Sequence, residues 1–363
     1  MHDTNEAFVT IAACNYLAHV SSWAGSLRIN GYRGPIYLLL IDGLDARLDS
    51  DLKLTVITVN DLPDRRDLLR VRKHYSLIEY ATALKPYLLL HLLSTHERVT
   101  YMDPDTFVYS RLPTSAFSEQ HPIELTPHRL SPIPKDGLLP EEDLFTKVGT
   151  YNLGYIAVRR DGVAAMEWWA SLLLTQSLID FSNALYTDQK WADLLPVYFR
   201  TTIRSEPGMN VGPWNVDERQ VVELGYEDAS SRLLFAHFSG FRLAGKRPDA
   251  RHRVSQHTKE AERFCKLAED YLADVSAQHF TARSDGLGFT TSSLVRTARR
   301  RHFSGQQVHE GSTQHSLSSR PYSSEALQDY ALALLRDLRL ITRTNGRTLR
   351  TNKWSPLGSR AER

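Results

Sequence analysis

Apolar positions recur along the chain in two rhythms. Unbroken apolar and β-branched runs at residues 7–13, 36–41 and 54–59 read as strands, the first two fully buried. Residues 17–30 and 78–93 carry helical spacing, and Gly31 and Gly34-Pro35 punctuate the passage between elements. Pro86 is expected to kink or restart the second helix, because it lacks an N–H and clashes with the preceding turn. Later come a strand at 151–159, a helix at 164–176 containing Trp168 and Trp169, and a strand from 233 that ends in His237. From about 258 to 272 the pattern is again helical. Strands alternating with helices predict an α/β fold with a parallel sheet. No Gly-x-Gly-x-x-Gly follows the first strand, so a dinucleotide fold of that kind is unsupported.

One stretch departs from these rhythms and organises the rest: Val99-Thr100-Tyr101-Met102-Asp103-Pro104-Asp105. Its first four residues read as a buried strand end. Two carboxylates follow one residue apart, and Pro104 between them blocks any continuation of the ladder. Acids at the carboxyl end of a strand sit where open α/β sheets bind ligands. Their oxygens suit a hard divalent cation, Mn²⁺ or Mg²⁺, which can in turn neutralise a diphosphate. Asp49-Ser50-Asp51 has the same spacing but no strand before it, and reads as solvated surface.

A nucleotide has room over the carboxyl end of the first strand, near Ala12, Asn15 and Tyr16. Lys85 is placed to reach the same crevice as the acid pair. Residues 65–75 are strongly basic and read as a solvated helix face. Residues 126–147 read as a loop rich in Pro and charge, of a length that is often functional. Asp188 stands near a helix start, where it serves either as an N-cap or in a site. Trp168, Trp169 and Trp191 are expected to pack in the core.

Composition narrows the class. The 363 residues are 42% hydrophobic and 24% charged with a net charge of +2, ordinary for a globular protein and indicating no nucleic-acid partner. The basic residues concentrate beyond Thr290, where Arg296, Arg299, Arg300 and Arg301 begin a positively charged tail. The two cysteines, Cys14 and Cys265, lack metal-ligand spacing, which argues against a disulfide scaffold and fits a cytoplasmic setting. No signal peptide is recognisable, and no apolar run reaches about 18 residues. The expected organisation is a domain over 1–257 and a helical, basic extension over 258–363. Within that extension, 284–319 is rich in Ser, Gly, His and Arg and reads as a flexible stretch, and 324–341 as an amphipathic helix. The tail is a candidate for peripheral contact with the inner face of a membrane.

Five segments occur in one order: Lys85-Pro86-Tyr87-Leu88, Tyr101-Met102-Asp103-Pro104-Asp105, Tyr151-Asn152-Leu153-Gly154, Thr187-Asp188-Gln189 and His237-Phe238-Ser239-Gly240. This set resembles the nucleotide-sugar glycosyltransferases of the GT-A fold, most closely those of the retaining glycosyltransferase family 8 type, over roughly residues 8–248. The resemblance implies a GT-A-like mixed sheet flanked by helices. It implies that Asp103, Asp105 and His237 hold a metal and that Lys246 meets the diphosphate, with Gly240 near the phosphates. It further implies that Asn152, Gly154, Asp188 and Gln189 face the donor sugar and the reaction centre. His237 itself follows an apolar strand and precedes Gly240 and a basic turn. The pattern departs from the family where Lys246 stands late after Gly240 and Arg247-Pro248 follows it, leaving Arg242 and Arg247 as alternatives for the phosphate. Lys85 occupies a place where the family often has arginine.

The function expected on these grounds is a metal-dependent hexosyltransferase in cell-surface polysaccharide biosynthesis. It would move a sugar from a nucleoside-diphosphate sugar to a glycan or lipid-linked acceptor, with retention. A sugar-phosphate nucleotidyltransferase is the second reading. Against it, residues 10–16 hold neither glycine nor a basic residue for a phosphate loop. A non-catalytic nucleotide-sugar-binding protein is the third.

Overall fold

A computed structural model describes residues 5–112, 121–219, 232–241, 251–284 and Phe289. Strand β1 (Glu6–Ala12) leads into helix α1 (Leu17–Ile29), then β2 (Ile36–Leu40), β3 (Gly43–Arg47) and β4 (Leu54–Thr58). Helices α2 (Arg65–Arg72), α3 (Leu77–Ala83) and α4 (Lys85–Leu93) follow, then β5 (Arg98–Met102), β6 (Thr106–Val108) and β7 (Ile123–Pro127). Helix α5 (Glu142–Val148) precedes β8 (Tyr151–Arg159) and α6 (Val163–Gln176). The short strands β9 (Ile179–Asp180) and β10 (Leu185–Tyr186) lead to α7 (Gln189–Ala192), α8 (Leu195–Tyr198) and β11 (Thr201–Ile203). Last come β12 (Phe235–His237), α9 (Lys259–Ser276) and β13 (Thr281–Ser284).

Seven strands form the central sheet, in the order β11-β7-β8-β5-β1-β2-β4. Strands β4, β2, β1 and β5 run parallel, β8 is antiparallel to both β5 and β7, and β11 is parallel to β7. The fold is thus a mixed α/β sheet flanked by helices, not an all-parallel one. The insertion of β8 has a functional consequence. Its amino end lies at the same edge of the sheet as the carboxyl ends of β1, β5 and β7.

Strand alternation divides the core. Phe8, Ile36, Leu38, Leu40, Met102 and Tyr155 pack with Leu17, Val20, Trp23, Ala24 and Leu27 of α1. Val9, Ile11, Leu39 and Val99 are also buried, so the strands are covered on both faces. Phe264, Ala268, Tyr271 and Val275 repeat at helical spacing along α9 and bury one face against Val211, Ala236 and Phe238. Helix α9 lies within the compact unit Met1–Phe289. The stretches 290–319 and 324–341 lie outside the described residues.

Two details set up the site. Ser76 and Glu79 form a reciprocal capping box that starts α3: Glu79 N–H donates to Ser76 Oγ at 3.3 Å and Ser76 N–H to Glu79 Oε2 at 2.8 Å. Pro86 then ends α3 and starts α4 in its first turn, where a missing N–H costs nothing. That restart leaves Lys85 as the first residue of α4, buried at 3% exposure. Residues 126–147 hold more order than expected. Thr126 and Pro127 close β7 next to a β-bulge, and residues 142–148 form α5, whose charged exterior hides its helical period.

Candidate active site

Register places the acid pair. Met102 of β5 lies opposite Tyr155 of β8, so the next residue, Asp103, meets Gly154 and donates its N–H to Gly154 O at 3.0 Å. Pro104 turns the chain. Thr106 closes the turn by donating N–H (3.2 Å) and Oγ1–H (2.7 Å) to Asp103 O. Strand β6 then pairs antiparallel with β12, with Thr106 opposite His237. A three-residue strand thereby carries a histidine from far along the chain to the acid pair.

His237 Nε2 lies 3.1 Å from Asp105 Oδ1 and 3.7 Å from Asp103 Oδ2. The ligand atoms of Asp103, Asp105 and His237 all fall within 4.8 Å of one another, a group that can hold a metal ion. The donor chemistry fits Mn²⁺ or Mg²⁺: two hard carboxylates and one imidazole, with further positions left for phosphate or water. Burial alone would lower the His237 pKa, but Asp105 and Asp103 together outweigh it and hold the imidazole above its ordinary value. In turn burial pushes Asp105 up, while His237 beside it holds the carboxyl below its usual range.

The two oxygens of Asp103 are divided between tasks. Oδ2 faces His237, whereas Oδ1 accepts the Tyr101 hydroxyl at 2.6 Å and lies 3.5 Å from Lys85 Nζ. Lys85 also ion-pairs with Asp188 Oδ2 at 2.9 Å, donates to Leu153 O at 2.8 Å and lies 4.6 Å from the Tyr101 ring centre. Burial would discharge this ammonium, but Asp103 and Asp188 overcome the cost and raise its pKa above the ordinary value. Tyr101 is pushed well up by burial and then by Asp103, so its hydroxyl stays protonated as a donor.

Asp188 flanks α7, but its side chain makes no capping bond there. Its carboxylate turns inward to Lys85 and accepts the Thr187 hydroxyl at 3.0 Å. Burial raises the Asp188 pKa, and Lys85 pulls against that shift. Thr187 adopts a left-handed backbone with φ 48°, costly for a β-branched residue and held by its surroundings. Gln189 spends its amide on the backbone, donating to Val148 O at 3.0 Å and accepting Leu153 N–H at 3.3 Å.

Asn152 and Gly154 are structural members of this group as well as lining it. Asn152 Oδ1 accepts Gly154 N–H at 2.9 Å, and Nδ2 meets His128 Nε2 at 3.2 Å. Gly154 leaves room for the His237 ring, which a β-carbon at this position would strike. Ala12 ends β1 at the same sheet edge, followed by the turn Cys14–Tyr16, whose Cys14 N–H donates to Asp42 Oδ1 at 2.7 Å. Asn15 is exposed, and half-buried Tyr16 stacks on His19 at 4.5 Å. Gly240 is exposed, with a positive φ of 83° that favours glycine. Lys246, Arg242 and Arg247 lie outside the described residues.

Sequence reading missed several participants. Tyr101 was visible only as a strand residue. His128 and Asn210 sit in turns whose partners are distant in sequence. His19 reaches Tyr271 of α9 at 2.5 Å, joining two helices beside Asp105.

No protein-family model matches the chain. The uncharacterized protein YfnF of Bacillus subtilis (strain 168) is 28% identical over 255 residues, covering 65% of this chain and 82% of YfnF. YfnD of the same organism, also uncharacterized, is 26% identical over 225 residues, covering 57% of this chain and 69% of YfnD. Among solved structures, the galactosyltransferase LgtC in complex with donor and acceptor sugar analogs is similar at a TM-score of 0.42 and 17% identity. That likeness covers 73% of this chain and 95% of LgtC. The glycosyltransferase GlyE of Streptococcus pneumoniae TIGR4 is similar at a TM-score of 0.40 and 11% identity, covering 74% of this chain and 62% of GlyE.

Proposed function

We propose that this protein is a metal-dependent glycosyltransferase that moves a hexose from a nucleoside-diphosphate sugar to a glycan or lipid-linked acceptor, with retention. The observation that carries the reading is the convergence of Asp103 Oδ2, Asp105 Oδ1 and His237 Nε2 at the carboxyl edge of the sheet, with the Lys85–Asp188 pair beside them. Retention is supported by the family resemblance of the five ordered segments.

Asp103, Asp105 and His237 would hold the ion, which when bound supplies a Lewis acid for the departing diphosphate. Lys85 adds a fixed positive charge and holds the Asp103 and Asp188 carboxylates in place. Asp188 offers a buried carboxylate to the positive charge that develops at the sugar as its bond to phosphate lengthens. Tyr101 orients Asp103 through its hydroxyl, leaving Oδ2 free for the cluster. The turn Cys14–Tyr16 at the end of β1 is in place to receive the nucleoside, with Asn15 as a polar partner and Tyr16 as a ring. Gly240 and Lys246 belong to the segment assigned to the diphosphate, and Gln189 to the donor side. The basic stretch beyond Thr290 is assigned to an anionic membrane surface carrying a lipid-linked acceptor.

The test is incubation with UDP-, GDP- and dTDP-hexoses and Mn²⁺, with and without EDTA. Metal-dependent release of nucleoside diphosphate is expected with one donor. Release of pyrophosphate from a nucleoside triphosphate and a sugar phosphate would instead establish the nucleotidyltransferase. Metal-dependent binding without release of either would establish a binding protein. Co-sedimentation with anionic vesicles, with and without residues 290–363, tests the membrane assignment.

A further inference from the structure

The tripeptide Asn152-Leu153-Gly154 touches nearly every member of the site. Gly154 O accepts Asp103 N–H at 3.0 Å, Leu153 O accepts Lys85 Nζ at 2.8 Å, and Leu153 N–H reaches Gln189 Oε1 at 3.3 Å. A β-carbon at Gly154 would run into the His237 ring, so the ring occupies room that only glycine leaves. The conformation of three residues therefore sets the positions of Asp103, Lys85 and His237 together.

That conformation is fixed by the Asn152 amide, and the amide by its neighbours. Its Oδ1 takes two donors, Gly154 N–H at 2.9 Å and Asn210 Nδ2 at 3.0 Å. Its Nδ2 faces His128 Nε2, whose other ring nitrogen is directed at Thr150 O at 3.2 Å. A flipped Asn152 would set an NH₂ against two donors, so only one orientation is satisfied. Asn210 also donates to Thr126 Oγ1 at 2.8 Å, which ties β7 to β8. It is fully buried, its φ of 52° is one that asparagine tolerates, and its carbonyl accepts Asn215 Nδ2 at 3.2 Å. The next residue, Val211, accepts His237 N–H at 2.8 Å. Asn210 thus stands between the strand that carries His237 and the tripeptide that receives it.

We propose that Asn210 is a positioning residue: its carboxamide fixes the Asn152 rotamer and thereby aligns Asp103, His237 and Lys85 on the Asn152–Gly154 backbone. Its effect on the metal rests on the glycosyltransferase reading of the acid–histidine cluster, whereas its effect on the backbone does not.

Asn210→Asp keeps size and backbone tolerance but replaces the donor by an acceptor. Asn210→Gly keeps the positive φ and removes the amide altogether. Two readouts are measured on both, on Asn152→Ala and on the double variants. The first is hydrogen exchange of the Gly154 amide relative to β5. The second is Mn²⁺ affinity by electron paramagnetic resonance. Each Asn210 variant should speed Gly154 exchange at least tenfold while β5 exchanges as in wild type, and should weaken Mn²⁺ about tenfold. In the Asn152→Ala background the same changes should alter Mn²⁺ affinity by less than twofold, because the intermediary is gone. Unchanged Gly154 exchange in both variants, or additive losses in the double variants, would overturn the proposal. If wild type binds no Mn²⁺, the functional reading fails while Gly154 exchange still decides this one.

Discussion

Gly154 and His237 pack so closely that no other residue fits at 154. A β-carbon on Gly154 would lie 2.4 Å from both Cε1 and Nδ1 of the His237 ring and 2.8 Å from Asn152 Oδ1. Neither neighbour is free to retreat. His237 is held by its backbone bond to Val211 O, and Asn152 by the amide network. Gly154→Ala should therefore displace His237 from the acid pair with the sheet intact. The expected outcome is at least a tenfold loss of Mn²⁺ affinity by calorimetry, with a far-ultraviolet circular dichroism spectrum unchanged. Retention of wild-type affinity would mean the ring does not serve as a ligand in this position.

Asp188→Asn separates a structural from a chemical role. The side chain does not cap α7, so the usual tolerance of a cap position for asparagine does not apply. The substitution removes one of the two charges facing Lys85 and leaves Asp103 as the carboxylate that pairs with that ammonium. Donor binding should stay within a few-fold of wild type. Turnover should fall about a hundredfold or more, roughly 2.7 kcal/mol of barrier. Steady-state kinetics paired with calorimetric donor titration checks both; a turnover within a few-fold of wild type would remove Asp188 from the chemistry.

What was legible in the sequence follows from burial. Strands β1, β2, β4, β5 and β8 were readable because they are short, rich in apolar, β-branched and aromatic residues, and bounded by turn residues. The break at Lys85-Pro86 was readable because proline has one permitted place in a helix. Strand β7 was hidden by Glu124, Thr126 and Pro127, polar or ladder-breaking residues buried only because partners elsewhere satisfy them. Strand β3 was missed because its partner β13 lies more than two hundred residues later. In the site, Asp103 and Asp105 follow a recognisable strand and His237 ends one. Asn210 had no such signal: its two main partners are 84 and 58 residues away. A turn asparagine with a positive φ reads from sequence as a turn and nothing more.

Glu124 is the second test of buried charge. It accepts Arg98 at 2.9 Å and Arg204 at 2.7 Å, and Arg98 also pairs with Glu6 at 3.1 Å. All four side chains are at most 8% exposed, in a network that crosses the sheet from β1 through β5 to β7. Glu124→Ala would take the shared carboxylate from two buried guanidinium groups, leaving Arg98 to Glu6 and Arg204 to its other ion-pair partner Glu206, a loss of up to about 3 kcal/mol. Urea unfolding followed by tryptophan fluorescence should show the midpoint falling with little change in slope. A loss below about 1 kcal/mol would mean that Glu6 and Glu206 suffice as counter-charges.

His128 supplies a pH dependence with a definite sign. Its Nδ1 is directed at Thr150 O, its Nε2 meets the Asn152 amide, and Phe145 and Trp214 flank the ring at 5.0 and 5.6 Å. These partners place the proton on Nδ1, so a second proton on Nε2 would push against the Asn152 NH₂ group. Burial, the dominant cause, lowers the pKa from 6.5 to about 4. Between those values the unfolded chain binds a proton that the folded state refuses. Its contribution to stability is therefore complete above pH 6.5 and is lost as pH falls toward 4, by roughly 3 kcal/mol at most. His128→Gln removes the titration. Its stability at pH 8 falls because the fit to Asn152 is imperfect, yet its decline between pH 6.5 and 4 should be shallower than that of wild type. Chemical denaturation at half-unit pH intervals measures both curves. Parallel curves would show that His128 already carries its charge in the folded protein, and with it the fixed orientation of Asn152 would fall.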